Sequence, residues 1–259
     1  MDVLRVSLVQ FDLIWENPVL NKLKLNHLIE PLKGHTDLIL LPEMFSTGFS
    51  MKSRALAESM EGESVTWMKL QAKNCRAAIA GSLIIKENDQ YFNRFLFVTP
   101  TEQINYYDKR HLFSMGEEDR HFNVGNKRVI VNYAGWRIAL FICYDLRFPV
   151  WCRSIKDADL MLFTANWPAK RKIVWQILTK ARAVENQIYV AGVNRTGIDG
   201  HGTVYAGEST IIDPKGAVRC DLGNKPDTVE TSCVSLQELT RFREKFPVSL
   251  DEDSFEIRF

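Results

Sequence analysis

Nothing in this chain provides for cross-linking. Its five cysteines, Cys75, Cys143, Cys152, Cys220 and Cys233, are odd in number and contain no CxxC. That sets aside a structural zinc site and a secreted disulfide framework and points to a reducing cytoplasm. No window approaches the ~18 consecutive apolar residues of a membrane span. Neither sign of charge is in excess: Lys+Arg 33 against Asp+Glu 32 leaves +1. Nucleic acid or an anionic membrane as the main partner therefore has no electrostatic support. Repeats, linkers and low-complexity tracts are absent. The opening MDVLRVSLVQF lacks a basic stretch followed by a long apolar run and reads as a first strand, not a signal peptide. The common signatures GxSxG, Walker A, HExxH and the EF-hand loop are also missing. Gly197, Gly200 and Gly202 do not make a GxGxxG after a strand. His27, His35, His111, His121 and His201 show no metal-ligand spacing; four of them read as surface or hydrogen-bonded histidines, and His111 is more open.

What remains is an ordinary globular composition, 46% hydrophobic and 25% charged over 259 residues, long enough for a sizeable core. Short β-branched runs alternate with helical patterns. Val3–Gln10 is strand-like. Pro18–Leu32 carries two apolar series, Leu20, Leu23 and Leu28, then Leu25, Ile29 and Leu32, at helical spacing. Asp37–Leu41 (DLILL) is the continuous run of a strand buried on both faces. Glu63–Arg76 predicts a helix with Val65, Met68, Ala72 and Cys75 on one side. Ala77–Ile85, Phe95–Val98 and Ile104–Tyr107 read as strands. So do Val129–Asn132 and Trp136–Ile142, joined by a turn at Ala134-Gly135. Pro149 suits the first turn of a helix. Leu160–Thr164 is a buried strand, and Ile173, Ile177, Ala181 and Val184 define a long helix running into strand Ile188–Val193. Ser209–Ile212, a turn at Asp213–Gly216 and Thr228–Val234 complete the sheet material. This order favours α/β layers with mixed sheets. About ten strands is many for one open sheet, so two packed sheets are expected.

Functional side chains in α/β sheets gather where strands end. DLILLP runs into Glu43, INYYD into Lys109, WRIALFI into Cys143, and LMLFT into Ala165-Asn166-Trp167-Pro168. A carboxylate, an ammonium and a thiol meeting at one edge would have coherent chemistry. The thiolate is the nucleophile, and a nearby Lys⁺ lowers its pKa. Glu43 could take the thiol proton, return it to a leaving amine and later activate water. Lys109 would face the oxyanion, with the backbone N–H of Tyr144 as second donor. The residue types alone also allow Glu43 as a helix-start carboxylate, Lys109 as a solvated charge beside Arg110, and Cys143 as an inert core thiol.

LPEMFSTGF around Glu43, YDKRHLF around Lys109 and CYDLRFP around Cys143 resemble the three signature segments of the nitrilase, or carbon–nitrogen hydrolase, superfamily. TANWP at 164–168, KARAVENQ at 180–187 and GVNR at 192–195 support the resemblance, which runs from about residue 3 to 235. It implies a four-layer α-β-β-α sandwich of two mixed sheets flanked by helices, as a single domain over 1–259. The segment from about 236 to 259 is expected to extend over the subunit or a dimer partner. It also implies a Glu43-Lys109-Cys143 triad with a thioester acyl-enzyme, needing no metal or organic cofactor. A second glutamate is expected beside the lysine: Glu118, with Glu117 as the fallback. Subunits are expected to pair into a homodimer or higher even oligomer, through a helix after Cys143 carrying Trp151 and Cys152 and through the Ile173–Glu185 helix.

KRHLFSMGEE, ANWPAKR and the closing REKFPV are similar to the bacterial ω-amidase branch. That implies hydrolysis of the terminal amide of 2-oxoglutaramate or 2-oxosuccinamate to the 2-oxo diacid and ammonia. Trp167, Asn166, Phe49 and Met115 are the candidate pocket residues. Arg147 is either a carboxylate binder or half of a buried ion pair, and Glu185 and Asn186 read as helix-end scaffolding. Competing readings keep the triad with another acyl group (aliphatic amide, carbamoyl or nitrile), or make the chain a non-catalytic dimeric interaction module. A papain-like Cys143/His111 pair is a further alternative.

Overall fold

A computed structural model describes residues 1–257; the last two residues of the expected C-terminal segment lie outside the described residues. The chain opens with β1 (Val3–Gln10), α1 (Pro18–Ile29) and β2 (Leu38–Leu40), followed by a one-turn α2 (Ser53–Leu56) and α3 (Glu63–Cys75). Next come β3 (Ala78–Glu87), β4 (Gln90–Val98), β5 (Ile104–Asp108) and the short α4 (Glu118–His121). β6 (Ile130–Tyr133), β7 (Trp136–Ile142) and β8 (Leu160–Ala165) lead to α5 (Lys172–Asn186) and β9 (Tyr189–Asn194). The end of the chain holds β10 (Thr196–Ile198), β11 (Val204–Ala206), β12 (Thr210–Ile212), β13 (Val218–Asp221), β14 (Thr228–Ser235) and α6 (Leu236–Lys245).

Two six-stranded sheets form, ordered β14-β1-β2-β3-β4-β5 and β13-β12-β9-β8-β7-β6, with β10-β11 as a separate ribbon. Both are mixed: β1-β2-β3 and β7-β8-β9 are parallel at the centres, and the edges are antiparallel. The pleat explains why DLILL is apolar throughout. Leu38 and Leu40 face the second sheet, in the cluster with Ile138, Leu140 and Phe163. Ile39 and Leu41 face Leu25 and Ile29 of α1 and Val65, Met68 and Ala72 of α3. With α5 packed on the second sheet, the result is the expected α-β-β-α sandwich. The Ala134-Gly135 turn forms with both residues left-handed (φ 52 and 87), the geometry that matches strand twist in a two-residue hairpin.

One expectation changes, and burial gives two helical stripes a direction that spacing left open. The helix foreseen after Cys143 is a 3₁₀ segment over Cys143–Arg147 followed by turns that carry Trp151 and Cys152. Pro149 biases the preceding residue out of the helical region, and Phe148 sits at φ −111, ψ 89. The stripe on α5 faces outward: Ile173 is 62% exposed, Ile177 61% and Val184 47%. The buried side is Trp175, Thr179, Arg182, Ala183 and Asn186. Helical spacing identifies a stripe but not what covers it. In α1, likewise, only Leu25, Ile29 and the following Leu32 are buried, while Leu20 and Leu23 are exposed. The β10-β11 ribbon, β13 and α6 had no clear periodic signal. α6 docks on its own subunit through Arg243, which bonds Asp159 and the carbonyls of Ala158 and Gln187.

Candidate active site

The ends of β2, β5, β7 and β8 deliver their side chains to one place. Glu43 follows β2 in a tight turn held from both sheets. Ser82 of β3 accepts the Met44 N–H at 2.8 Å, and Thr164 of β8 donates to the Leu41 carbonyl at 2.7 Å. Asn166, just past β8, donates its backbone N–H to Glu43 Oε2 at 2.8 Å and its side-chain amide to the Glu43 carbonyl at 2.6 Å. Lys109 follows β5. Cys143 ends β7 with a left-handed backbone, φ 43, unusual for a residue with a side chain and typical of a sharp functional turn. Asp145 secures that turn by accepting the Ile142 N–H and the Tyr107 hydroxyl. From behind, Arg182 of α5 donates to the Leu146 carbonyl at 2.6 Å. Glu185 and Asn186 serve the same scaffold: Glu185 pairs with Arg182, and Asn186 accepts the Ser154 N–H and donates to the Arg182 carbonyl.

Lys109 gathers two carboxylates. Lys109 Nζ lies 2.9 Å from Glu43 Oε1, and 2.9 and 2.8 Å from the two oxygens of Glu118. All three side chains are fully buried. Glu118, not Glu117, is the glutamate on Lys109. Glu117 takes the left-handed conformation before α4, and its carboxylate points out to Arg120. Glu118 Oε2 also accepts the Phe113 N–H at 2.7 Å. Asn93 of β4, not foreseen, donates one amide nitrogen to Glu43 Oε1 at 2.8 Å and to Glu118 Oε1 at 3.1 Å.

Burial opposes the charge on Lys109, but Glu118 and Glu43 outweigh it, and the ammonium is held well above the ordinary lysine range. Burial also pushes the Glu118 carboxyl up; Lys109 pulls against it and Glu43 adds to it. The Cys143 thiol is raised well above its usual range by burial and by Glu43, against a smaller pull from Lys109. Lys109 does lower it, as expected, but burial and Glu43 outweigh that pull, because the one ammonium is shared by two carboxylates. A thiol that stays protonated at neutral pH needs a base during attack.

Cys143, Tyr144 and Lys109 open onto a cavity of about 880 Å³. Phe49, Met115, Asn166, Trp167 and Arg147 all line it. Phe49 lies over Lys109 with Nζ 5.2 Å from its ring centroid, while Met115 sits at the mouth, 85% exposed. Arg147 lies 5.3 Å from the centroid of the Trp167 ring and has no carboxylate partner among the described residues. Arg171, which the sequence did not single out, also lines the cavity, 5.4 Å from the centroid of the Phe113 ring, and is equally unpaired among the described residues. The far wall is the β10-β11 ribbon, where Tyr205 donates its hydroxyl to Asp199 at 2.9 Å. His111 is engaged elsewhere: Nδ1 lies 2.8 Å from Asp145, and the ring stacks on Phe148. Among the described residues no cluster of His, Cys, Asp or Glu is placed to hold a metal ion.

Residues 5–244 match the family model for carbon-nitrogen hydrolase. The chain is 44% identical over 259 residues to the omega-amidase YafV of Escherichia coli, covering 99% of this chain and 100% of that one. It is 34% identical over 248 residues to a 2-oxoglutaramate amidase of Bacillus subtilis, covering 94% of this chain and 95% of that one. A solved CN-hydrolase superfamily protein from Xanthomonas campestris, with an arsenic adduct in its active site, superimposes with a TM-score of 0.97 at 43% identity, covering all of both chains.

Proposed function

This chain belongs to the carbon–nitrogen hydrolase family, and from that membership we propose an amidohydrolase that hydrolyses the terminal amide of a short 2-oxo acid amide. The substrates are 2-oxoglutaramate or 2-oxosuccinamate, and the products are the 2-oxo diacid and ammonia. The observation that carries this choice is the pair of guanidiniums, Arg147 and Arg171, in the same cavity as Cys143 and without carboxylate partners among the described residues. An unpaired arginine at the edge of a buried site favours a carboxylate ligand, to which it can bond bidentately. Lys170, Arg171 and Lys172 also crowd the start of α5, where no acidic residue offsets them. Cations there oppose the helix dipole, a local conflict that an anionic substrate would relieve. The names of the E. coli and B. subtilis relatives agree with this choice.

The chemistry follows from the contacts. Glu43 takes the thiol proton as sulfur attacks the amide carbon. The carbonyl oxygen gains negative charge and is met by Lys109 and the Tyr144 N–H. The C–N bond breaks as Glu43 passes the proton to nitrogen, releasing ammonia and leaving a thioester on Cys143. Water, deprotonated by Glu43, attacks the thioester; the acid departs and the thiol regains its proton. Glu118 fixes the Lys109 ammonium through both carboxylate oxygens. Trp167 and Phe49 shape the acyl site, with Asn166 holding the Glu43 turn and Met115 at the mouth.

The exposed Ile173, Ile177 and Val184 face of α5 is where a second copy would pack to make a homodimer. Five free cysteines suit a reducing cytoplasm, and no helix among the described residues is long and apolar enough to cross a membrane. Ammonia release from 2-oxoglutaramate, compared with simple aliphatic amides, carbamoyl compounds and nitriles, tests the substrate. A strong preference for 2-oxoglutaramate is expected; equal or better turnover of uncharged amides would overturn the assignment.

A further inference from the structure

We propose that Asn93 is a positioning residue that keeps Glu43 and Glu118 together as carboxylates around Lys109. Its side chain is fully buried on β4. One amide nitrogen donates to Glu43 Oε1 and to Glu118 Oε1, while its backbone carbonyl accepts the backbone N–H of Lys109 at 3.0 Å. Asn93 therefore contacts both carboxylates through its side chain and Lys109 through the backbone, and it does not line the cavity.

The energetic need is specific. Two carboxylates share one ammonium in a fully buried site, so without further donors one of them is driven to take a proton. Lys109 already donates to Glu43 and twice to Glu118. Asn93 adds a neutral donor between the two oxygens that face each other, which lessens their repulsion without adding charge. The orientation of the amide is set by this role: turning it over would aim its oxygen at both carboxylates. The cost is visible, because Asn93 Oδ1 is buried without a partner among the described residues. A purely structural asparagine would have both ends satisfied.

The inference rests on the proposed role of Glu43 as base, and the test separates the two. Two readouts are followed against pH in wild type, Asn93→Leu and Asn93→Ser: ammonia release from 2-oxoglutaramate, and alkylation of Cys143 by iodoacetamide, which needs no amide substrate. Leucine matches asparagine in shape without a donor; serine keeps a shorter one. Asn93→Leu should lose about 10- to 100-fold in kcat, the factor for a hydrogen bond to a charged group, with KM little changed. The acid limb of both profiles should move to higher pH, because a carboxylate stripped of a donor holds its proton longer. Asn93→Ser should fall between Asn93→Leu and wild type. If Asn93→Leu does not fold, the smaller shift in Asn93→Ser carries the same reading. Profiles that coincide with wild type, or a loss confined to KM, would overturn the role of Asn93. A wild type that releases no ammonia but whose Cys143 alkylation limb still shifts in the variants would overturn the substrate and leave Asn93 standing.

Discussion

The depth and the mouth of the cavity treat their cations in opposite ways. At depth, Lys109 is held by charge: three short contacts to two carboxylates, full burial and a pKa driven upward. At the mouth, Arg147 and Arg171 have aromatic faces beside them and no carboxylate among the described residues. A buried ion fixed in place has little to rearrange during a reaction, which suits electrostatic stabilisation of a developing charge. Guanidiniums without carboxylate partners beside a cavity suit recognition. On the proposed mechanism, chemistry at the bottom and selection at the rim should be separable by mutation.

The largest effects should come from the buried cluster. Cys143→Ala should bring ammonia release to background, because no covalent step remains. Glu43→Gln should be nearly as damaging, and Lys109→Ala should cost at least ~10²–10³ in kcat, the range for one oxyanion donor. Circular dichroism identifies any variant that has merely unfolded; comparable activity in a folded variant contradicts the role given to that residue. At the mouth, Arg147→Met and Arg171→Met should each raise KM for 2-oxoglutaramate by about 10-fold or more, the lower end for a charged hydrogen bond. kcat should change little, as should turnover of an uncharged amide. A fall in kcat with KM unchanged would erase the division between depth and mouth.

The smallest effect is in the pH dependence of Cys143 alkylation. Because the folded enzyme holds this thiol above its ordinary pKa, thiolate formation unaided by a base is rare at neutral pH and increases as pH rises. In Glu43→Gln, alkylation by iodoacetamide should therefore be slow at pH 7 and climb steadily toward alkaline pH. Wild type, with its base in place, should react faster at pH 7 and with less slope. Cys220, which burial pushes up to about 12, should label slowly in both. Identical profiles for wild type and Glu43→Gln would remove Glu43 from the proton transfer.

Much of the buried cluster was legible because strand ends and short local segments announce it: PEMF, DKRH and CYD each place a reactive group directly after an apolar run. Glu117 and Glu118 could not be separated by spacing, since adjacent residues diverge only when the backbone between them is known; the left-handed Glu117 turns one carboxylate to solvent and the other inward. Asn93 was invisible because its partners are 50 and 25 residues away in sequence and a lone asparagine in FNRF carries no local pattern. Arg171 had nothing to mark it out among the neighbouring charges of AKRK. The α5 stripe was legible but its direction was not, because periodicity reports amphipathicity and not which neighbour is present. The Gly-rich stretch after Asn194 gave no strand signal, although three residues on each side pair into the ribbon that walls the cavity.

The most direct test of Cys143 as the nucleophile is residual ammonia release measured alongside the alkylated fraction of Cys143, read by peptide mass spectrometry during iodoacetamide treatment. Activity should fall in step with the unmodified fraction of Cys143 and vanish when that thiol is fully alkylated, whatever the state of Cys75, Cys152, Cys220 and Cys233. Ammonia release that survives complete alkylation of Cys143 would contradict its assignment as the nucleophile.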